Sequence, residues 1–274
     1  MKNRVLYGVL LILLMGCCVF LSPTTRVLFF AVAGGLCAWE YSKQMERTGF
    51  AVSFCVLAFY LILQSVLVLT DAGLPAFGAA FVGSVYLALL AGIVFEKSRG
   101  RGALDTVAGL AYPCLLFGVI MFISVSNIWL ETLAIACLAT WSCDNAAFLG
   151  GSRFGKHKLA SDVSPNKTVE GAVIGLLSAA AASVLIYYIG IWCAGSDWLG
   201  SLYKPVPLWL CVVTGLAAST MGQIGDLAES LLKRMLGIKD FSNLIPGHGG
   251  MFDRADSLLF SIPTAYFCLR LAGL

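Results

Sequence analysis

Residues able to do chemistry concentrate in a polar stretch near the C-terminus, 223–256, of an otherwise largely apolar chain. Four of its side chains recur at spacings of three, four and seven residues, which places them on one helical face: Asp226, Glu229, Ser230 and Lys233. The string Pro246 to Gly250 then predicts an irregular turn that brings Asp253 and Asp256 to the start of the last helix. Carboxylates gathered beside several cations suit Mg²⁺ and a polyphosphate, because Mg²⁺ binds one or two carboxylates plus substrate oxygens.

A second polar stretch, 150–171, combines small residues with four cations. One interpretation is a cytosolic loop that simply obeys the positive-inside rule. Ser164 and Pro165 favour a more specific one, since Ser at the N-cap and Pro at the first helical position begin many helices. A helix starting there would hold Lys167 and Thr168 in its first turn and direct its free N–H groups at an anion.

Asp144 lies deep within the apolar run Ile128–Leu149. An ionisable residue inside a membrane span is costly, which makes it a candidate functional residue. The alternative is a buried carboxylate that pairs with a lysine of a neighbouring helix.

The composition decides the class of protein. Hydrophobic residues make up 59% of the 274 residues and charged residues only 12%, about half the share of about 25% in soluble domains. So few charges exclude a soluble domain, a disordered chain and a nucleic-acid binder that depends on phosphate contacts. Long unbroken apolar runs argue against the alternating strands of a β-barrel. We therefore predict an all-α, polytopic integral membrane protein.

About nine apolar runs approach the length of about 20 residues that a spanning helix needs. In chain order they are Val5–Leu21, Val27–Tyr41, Phe50–Thr70, Leu74–Phe95, Leu104–Ser126, Ile128–Leu149, Gly171–Cys193, Pro207–Ile224 and Leu258–Leu274. The second is the weakest, because Glu40 ends its apolar part early. We expect residues 1–127 to form an N-terminal membrane region of about five helices, and residues 128–274 to form a catalytic region that holds both polar stretches.

The distribution of cations predicts the orientation in the membrane. With nine spans, fifteen of the 18 Lys and Arg residues lie in loops on one side, two lie on the other side, and Arg270 lies within the last span. By the positive-inside rule this asymmetry places the N-terminus and both polar stretches in the cytosol. We expect the chain to be a multi-pass protein of the cell (inner) membrane.

The N-terminus allows one processing alternative. Lys2, Arg4 and the string Leu14 to Cys17 could form a signal peptide that ends at a lipid-modified Cys17. Met15 fits such a site poorly, and eight further spans favour an uncleaved signal anchor.

The polar stretch near the C-terminus, 223–256, closely resembles the signature of phosphatidate cytidylyltransferases, also called CDP-diacylglycerol synthases. The matching string is Ser230-x-Leu232-Lys233-Arg234-x4-Lys239-Asp240-x-Ser242-x2-Ile245-Pro246-x-His248-Gly249-Gly250-Met251-x-Asp253-Arg254-x-Asp256. The earlier loop is similar to the other hallmark of this family, with Phe154-Gly155-Lys156-His157-Lys158 and Ser164-Pro165-x-Lys167-Thr168-x-Glu170-Gly171.

The resemblance implies a reaction of phospholipid biosynthesis, in which CTP and phosphatidate give CDP-diacylglycerol and pyrophosphate. It implies Mg²⁺ held by Asp226 and Asp253, and a homodimer in the lipid bilayer. Asp144 would be a polar wall or an orienting group. Phosphate oxygens would be held by Lys167, Lys233, Lys239 and Arg254. His248 could be a general base, although an anionic lipid phosphate favours a binding or turn role. Further substrate-binding residues would be Lys156, His157, Lys158, Ser164, Thr168 and Arg234.

Two other functions are compatible with parts of the pattern. A CDP-alcohol phosphatidyltransferase also handles CDP-diacylglycerol, but the Asp-rich string of that family is absent from the sequence. A transporter or channel could use Asp144 and Asp226 as ion ligands within the membrane. Transporters often have paired halves, whereas polar residues here cluster in the C-terminal half.

Overall fold

A computed structural model describes residues 16, 18–49, 52–95, 101–196, 203–245 and 249–274. The helices are α1 (Pro23–Arg47), α2 (Phe54–Leu69), α3 (Gly73–Phe95), α4 (Arg101–Gly109), α5 (Leu115–Ser124), α6 (Trp129–Phe154), α7 (Val169–Ala194), α8 (Leu208–Leu236) and α9 (Phe252–Leu271). Between α6 and α7, strands β1 (Lys158–Ala160) and β2 (Ser164–Thr168) form an antiparallel pair. The described residues are therefore almost entirely α-helical, as predicted, and the β1–β2 hairpin among them was not predicted.

Among the described residues, five helices are long and apolar enough to cross a membrane: Gly73–Val94, Gly102–Ser124, Trp129–Phe154, Val169–Ala194 and Leu208–Leu236. They confirm the class of multi-pass membrane protein. The predicted count of nine is not confirmed, since α1 and α9 are not among the five and α2 has only 16 residues. The first predicted span, Val5–Leu21, and the processing site at Cys17 lie largely outside the described residues.

The predicted span Leu104–Ser126 is interrupted rather than continuous. A π-helical turn, Leu110–Cys114, separates α4 from α5 and contains Pro113. Proline lacks the N–H that an α-helix needs, and its ring clashes with the preceding turn. The apolar run alone predicts one continuous helix here, whereas the structure has two helices joined by a π-helical turn.

Packing groups the described elements into two units. The first combines Met1–Val125 with Leu236–Arg254. Within it the Tyr41 hydroxyl donates to the Asp105 carbonyl at 2.9 Å, which ties α1 to α4. Phe241 and Phe252, both fully buried, pack with ring centroids 4.6 Å apart and ring planes tilted by 42°. The segment before α9 is thus part of the core of this unit.

The second unit combines Ser126–Met235 with Ala255–Leu274. Helices α6 and α7 pack through small buried residues: Ala139, Cys143 and Ala179. Two hydroxyls, of Ser142 and Ser178, lie 2.5 Å apart across this interface. Small side chains let membrane helices approach closely, and dispersion contacts then hold them together.

The predicted helix start at Ser164 is wrong. Residues Ser164–Thr168 form β2, and α7 begins only at Val169. The N-cap is Thr168, whose hydroxyl accepts a hydrogen bond from the Gly171 N–H at 3.2 Å. Pro165 is tolerated because a strand of a two-stranded sheet has a free edge.

Candidate functional site

The centre of the candidate site is an ion pair between Lys167 of β2 and Asp226 of α8. Both side chains are partly exposed, at 26% and 30%, so the pair is accessible to a substrate. The Ser230 hydroxyl, one helical turn after Asp226, donates to its Oδ1 atom at 3.4 Å. The structure thus joins the two polar stretches through one predicted residue from each.

Two further carboxylates surround this pair. Asp144 of α6 interacts electrostatically with Asp226 and Lys167. Asp256 of α9 interacts with Asp226 and Asp144. Gly225 makes the approach of α9 to α8 possible, because a Cβ atom there would lie 2.6 Å from the Asp256 carbonyl oxygen. Asp144, Asp226 and Asp256 therefore lie within electrostatic range of one another and are called the acidic cluster below; Lys167 pairs directly with its member Asp226.

The predicted polar face of α8 is confirmed. Lys233 pairs with Glu229 at 2.6 Å, four residues earlier on the same helix. Glu229 is buried, and Lys233 also interacts electrostatically with Asp256. A buried acid that fixes a lysine ammonium group holds its positive charge beside the acidic cluster. The spacing of the polar residues predicts Glu229 on this face but indicates no role for it in the site.

The loop before α7 is organised by Glu170. Its carboxylate accepts hydrogen bonds from the backbone N–H groups of Lys156 and His157, at 3.0 and 3.2 Å from Oε2. It also lies 2.6 Å from Nδ1 of His157. The predicted substrate-binding residues Lys156 and His157 are exposed, so their side chains are accessible from solvent.

Other predicted binding residues contact the hairpin itself. The Lys158 ammonium group donates to the Pro165 carbonyl at 2.6 Å, and Nε of Arg234 donates to the Val163 carbonyl at 3.1 Å. Ser164 pairs with Ala160 in the ladder. These contacts give Lys158 and Arg234 an observed role in shaping the hairpin, while phosphate binding by their side chains stays a prediction.

The remaining predicted residues belong to the first unit. Asp253 is buried, and its carboxylate accepts hydrogen bonds from the N–H groups of Phe241, at 3.1 Å, and Gly250, at 2.7 Å. Lys239 and Arg254 are exposed. His248 lies outside the described residues, so its predicted role stays a prediction.

Glu40 is a residue whose importance the sequence analysis missed. It is fully buried on α1 and accepts hydrogen bonds from Ser242, Met251 and Phe252 of the signature segment. The sequence did contain a signal, because an acid within an apolar run must find partners or a function. The residues near Glu40 in the sequence do not indicate which groups its carboxylate binds.

The donor set of the second unit fits a magnesium ion that substrate oxygens help to bind. Carboxylate oxygens are the ligands that Mg²⁺ prefers, and one or two of them suffice when phosphates complete the shell. Within the described part of the chain, no group of three or more His, Cys, Asp or Glu side chains could hold a metal ion. Mg²⁺ binding at this site therefore requires additional ligands from a phosphate-bearing substrate. The predicted ligand pair, Asp226 and Asp253, stays a prediction.

Comparisons with known proteins identify the family of the chain. The model of the cytidylyltransferase family matches residues 2–272. The chain is 32% identical to a phosphatidate cytidylyltransferase of Helicobacter pylori over 94% of its own length and 88% of the relative. It is 29% identical to one of Bacillus subtilis over 99% and 98%, and 31% identical to one of Synechocystis over 90% and 78%. With a family match over nearly its whole length, the chain belongs to the cytidylyltransferase family.

Proposed function

We propose that the protein transfers the cytidylyl group of CTP to phosphatidate, giving CDP-diacylglycerol and pyrophosphate. The observation that carries this proposal is the Lys167–Asp226 ion pair, set among Asp144 and Asp256 in a member of the cytidylyltransferase family. The relatives named above are phosphatidate cytidylyltransferases. The family assignment favours this transfer over the transporter alternative.

The reaction makes one bond and breaks one. An oxygen of the lipid phosphate attacks the α-phosphorus of CTP, and the bond from that phosphorus to the bridging oxygen breaks. Pyrophosphate leaves with the electron pair. The lipid phosphate is already an anion at neutral pH, so it needs no strong base. Such transfers depend mainly on positioning and on stabilisation of charge.

The residues of the site supply those two effects. Lys167 is oriented by Asp226 and Lys233 by Glu229, so both ammonium groups are held near the acidic cluster. We assign them to the phosphate oxygens of CTP, where negative charge grows as pyrophosphate leaves. Lys239 and Arg254 are proposed to bind phosphate as well. Asp144 is proposed to be a polar wall of the site.

Mg²⁺ is the proposed cofactor. Asp226 would hold it, with Asp253 as the second ligand that the family signature predicts. When bound, the ion would neutralise phosphate charge and orient the triphosphate. Lys167 and Lys233 would keep their own role and bind phosphate oxygens of CTP directly.

The membrane location suits both substrates. CTP is a cytosolic solute and phosphatidate is a membrane lipid, so we propose a site at cytosolic helix ends that admits the lipid from the bilayer. This proposal places the N-terminus and both polar stretches on the cytosolic side of the cell membrane. A homodimer is proposed on the family resemblance alone, and nucleic acid is not a proposed partner.

An assay with purified protein tests the proposed cytidylyl transfer. Incubation with CTP, phosphatidate and Mg²⁺ should release pyrophosphate and form CDP-diacylglycerol in equal amounts. The Asp226→Asn variant, purified in parallel, should form neither product. Pyrophosphate release without a lipid product, or equal rates for the two proteins, would contradict the proposal.

A further inference from the structure

Glu40 of α1 contacts two separate parts of the signature segment. Its Oε1 atom accepts hydrogen bonds from the Ser242 hydroxyl at 2.5 Å and from the Met251 N–H at 2.9 Å. Its Oε2 atom accepts one from the Phe252 N–H at 2.8 Å. Since the side chain is fully buried, these three contacts offset the cost of removing a carboxylate from water.

The contact with α9 is a helix cap supplied by another helix. Phe252 is the first residue of α9, and the first N–H groups of a helix have no partner within it. A carboxylate at this end also interacts favourably with the helix dipole. Glu40 therefore caps the first residue of α9 and ties it to α1.

Neighbouring residues pack closely around the Glu40 side chain and the turn that it contacts. A Cβ atom on Gly250 would lie 2.6 Å from both carboxylate oxygens of Glu40, so the turn packs directly on this side chain. One turn later on α1, the Gln44 side-chain amide donates to the Phe241 carbonyl. The aromatic ring of Tyr112 lies against Phe252, with centroids 5.3 Å apart. The described ends of the turn are thus held on several sides.

We propose that Glu40 is a positioning residue for cytidylyl transfer, acting through the signature segment that it binds. This inference rests on the proposed function. Asp253 and Arg254 directly follow the two N–H groups that Glu40 binds, and Lys239 lies three residues before Ser242. The Gly250 N–H, next to the Glu40 contact, donates to Asp253. A change at Glu40 therefore shifts the predicted metal ligand and two predicted phosphate-binding residues together.

The variant Glu40→Gln tests this role with almost no change in side-chain volume. Its amide nitrogen is a donor, so at least one of the three donors now bound would lose its acceptor. We expect kcat to fall about 10–100-fold, the range seen when the outer partners of a reacting site are removed. The KM for phosphatidate should change by less than roughly threefold, because the loss concerns the transition state. The matched control is Glu46→Gln, on the exposed end of α1, which should keep wild-type kcat.

A double-mutant cycle separates positioning from mere stability. Ser242→Ala removes one hydrogen bond to Glu40 and should lower kcat in the wild-type background. In the Glu40→Gln background the same change should add little, because residues that act as a unit are not additive. If Glu40→Gln does not fold, the kcat of Ser242→Ala decides whether Glu40 has a positioning role or only a stabilising one.

The outcomes are distinguishable. An active wild-type protein whose Glu40→Gln variant matches Glu46→Gln in kcat overturns this inference and leaves the proposed function intact. Wild-type kcat in folded Ser242→Ala, when Glu40→Gln cannot be purified, also overturns it. A wild-type protein without cytidylyl transfer overturns the proposed function and this inference together.

Discussion

Lys167 and Asp226 come from different polar stretches of the chain and form an ion pair in the folded protein. Lys167 lies on the hairpin that precedes α7, and Asp226 lies on the polar face of α8. Removing either charge leaves the other without this partner in a partly buried site, which costs more than the pair itself contributes. The pair therefore couples the hairpin to the acidic cluster.

Asp226→Asn should abolish most of the activity while the protein still inserts and folds. The substitution removes the partner of Lys167 and a proposed Mg²⁺ ligand, and we expect kcat to fall at least about 100-fold. Steady-state assays with CTP and phosphatidate at several Mg²⁺ concentrations provide the measurement. Asp162→Asn, in the exposed turn of the hairpin, is the control. Near wild-type turnover of Asp226→Asn at limiting Mg²⁺ would contradict the assignment.

Lys167→Ala should lower kcat and kcat/KM together, because the proposed contact strengthens as pyrophosphate leaves. Lys167→Arg should restore only part of the rate, since a planar guanidinium group does not replace a compact ammonium charge. Both rates are to be measured at saturating phosphatidate, beside Lys43→Ala, which removes an exposed cation from α1. If Lys167→Ala and Lys43→Ala are equally active, Lys167 is only a positive-inside residue.

Glu170→Ala should increase local opening of the loop that leads into the hairpin, while the helices stay folded. The backbone N–H groups of Lys156 and His157 lose their acceptor, so their hydrogen exchange should become faster through local opening. Exchange followed by mass spectrometry on the purified protein measures this effect. In Asp162→Ala, exchange at these two amides should remain at the wild-type rate. Unchanged exchange in Glu170→Ala would show that other contacts hold the loop.

Gly175→Ala should destabilise the packing of α6 on α7. Its Cβ atom would lie 2.8 Å from the Cys143 carbonyl oxygen and 2.9 Å from Sγ, and relieving such overpacking costs about 1–3 kcal/mol. Gly78→Ala on α3 is the matched control, since the new Cβ has no atom within 4 Å. Thermal unfolding in detergent should show a lower Tm for Gly175→Ala alone. Equal Tm values would mean that the interface adjusts without cost.

A Ser-Pro pair begins a helix only where the chain has no competing strand partner. At Ser22, followed by Pro23, the same two residue types do cap a helix, and the Thr25 N–H donates to the Ser22 hydroxyl at 3.1 Å. At Ser164 and Pro165 the chain instead continues as a strand. The difference is the antiparallel partner β1, whose pairing is a tertiary contact that a Ser-Pro dipeptide cannot reveal.

Only part of the candidate site is predictable from the sequence, again because local patterns do not reveal tertiary partners. Helical spacing was enough to place Glu229 and Lys233 on one face, because both lie on one continuous helix. The pairing of Lys167 with Asp226, and the capping of α9 by Glu40, join residues far apart in sequence. Polar spacing within a stretch carries no information about such partners, so the contacts emerged only from the fold.

The most direct test of the central claim follows the phosphorus atoms of CTP. Purified protein is given phosphatidate, Mg²⁺ and CTP that carries a radioactive label on either the α- or the γ-phosphate. Cytidylyl transfer predicts that the α-label enters the lipid fraction while the γ-label leaves in pyrophosphate, and that Asp226→Asn moves neither label. Transfer of the γ-label to lipid, or no phosphatidate-dependent label in lipid at all, would contradict the account.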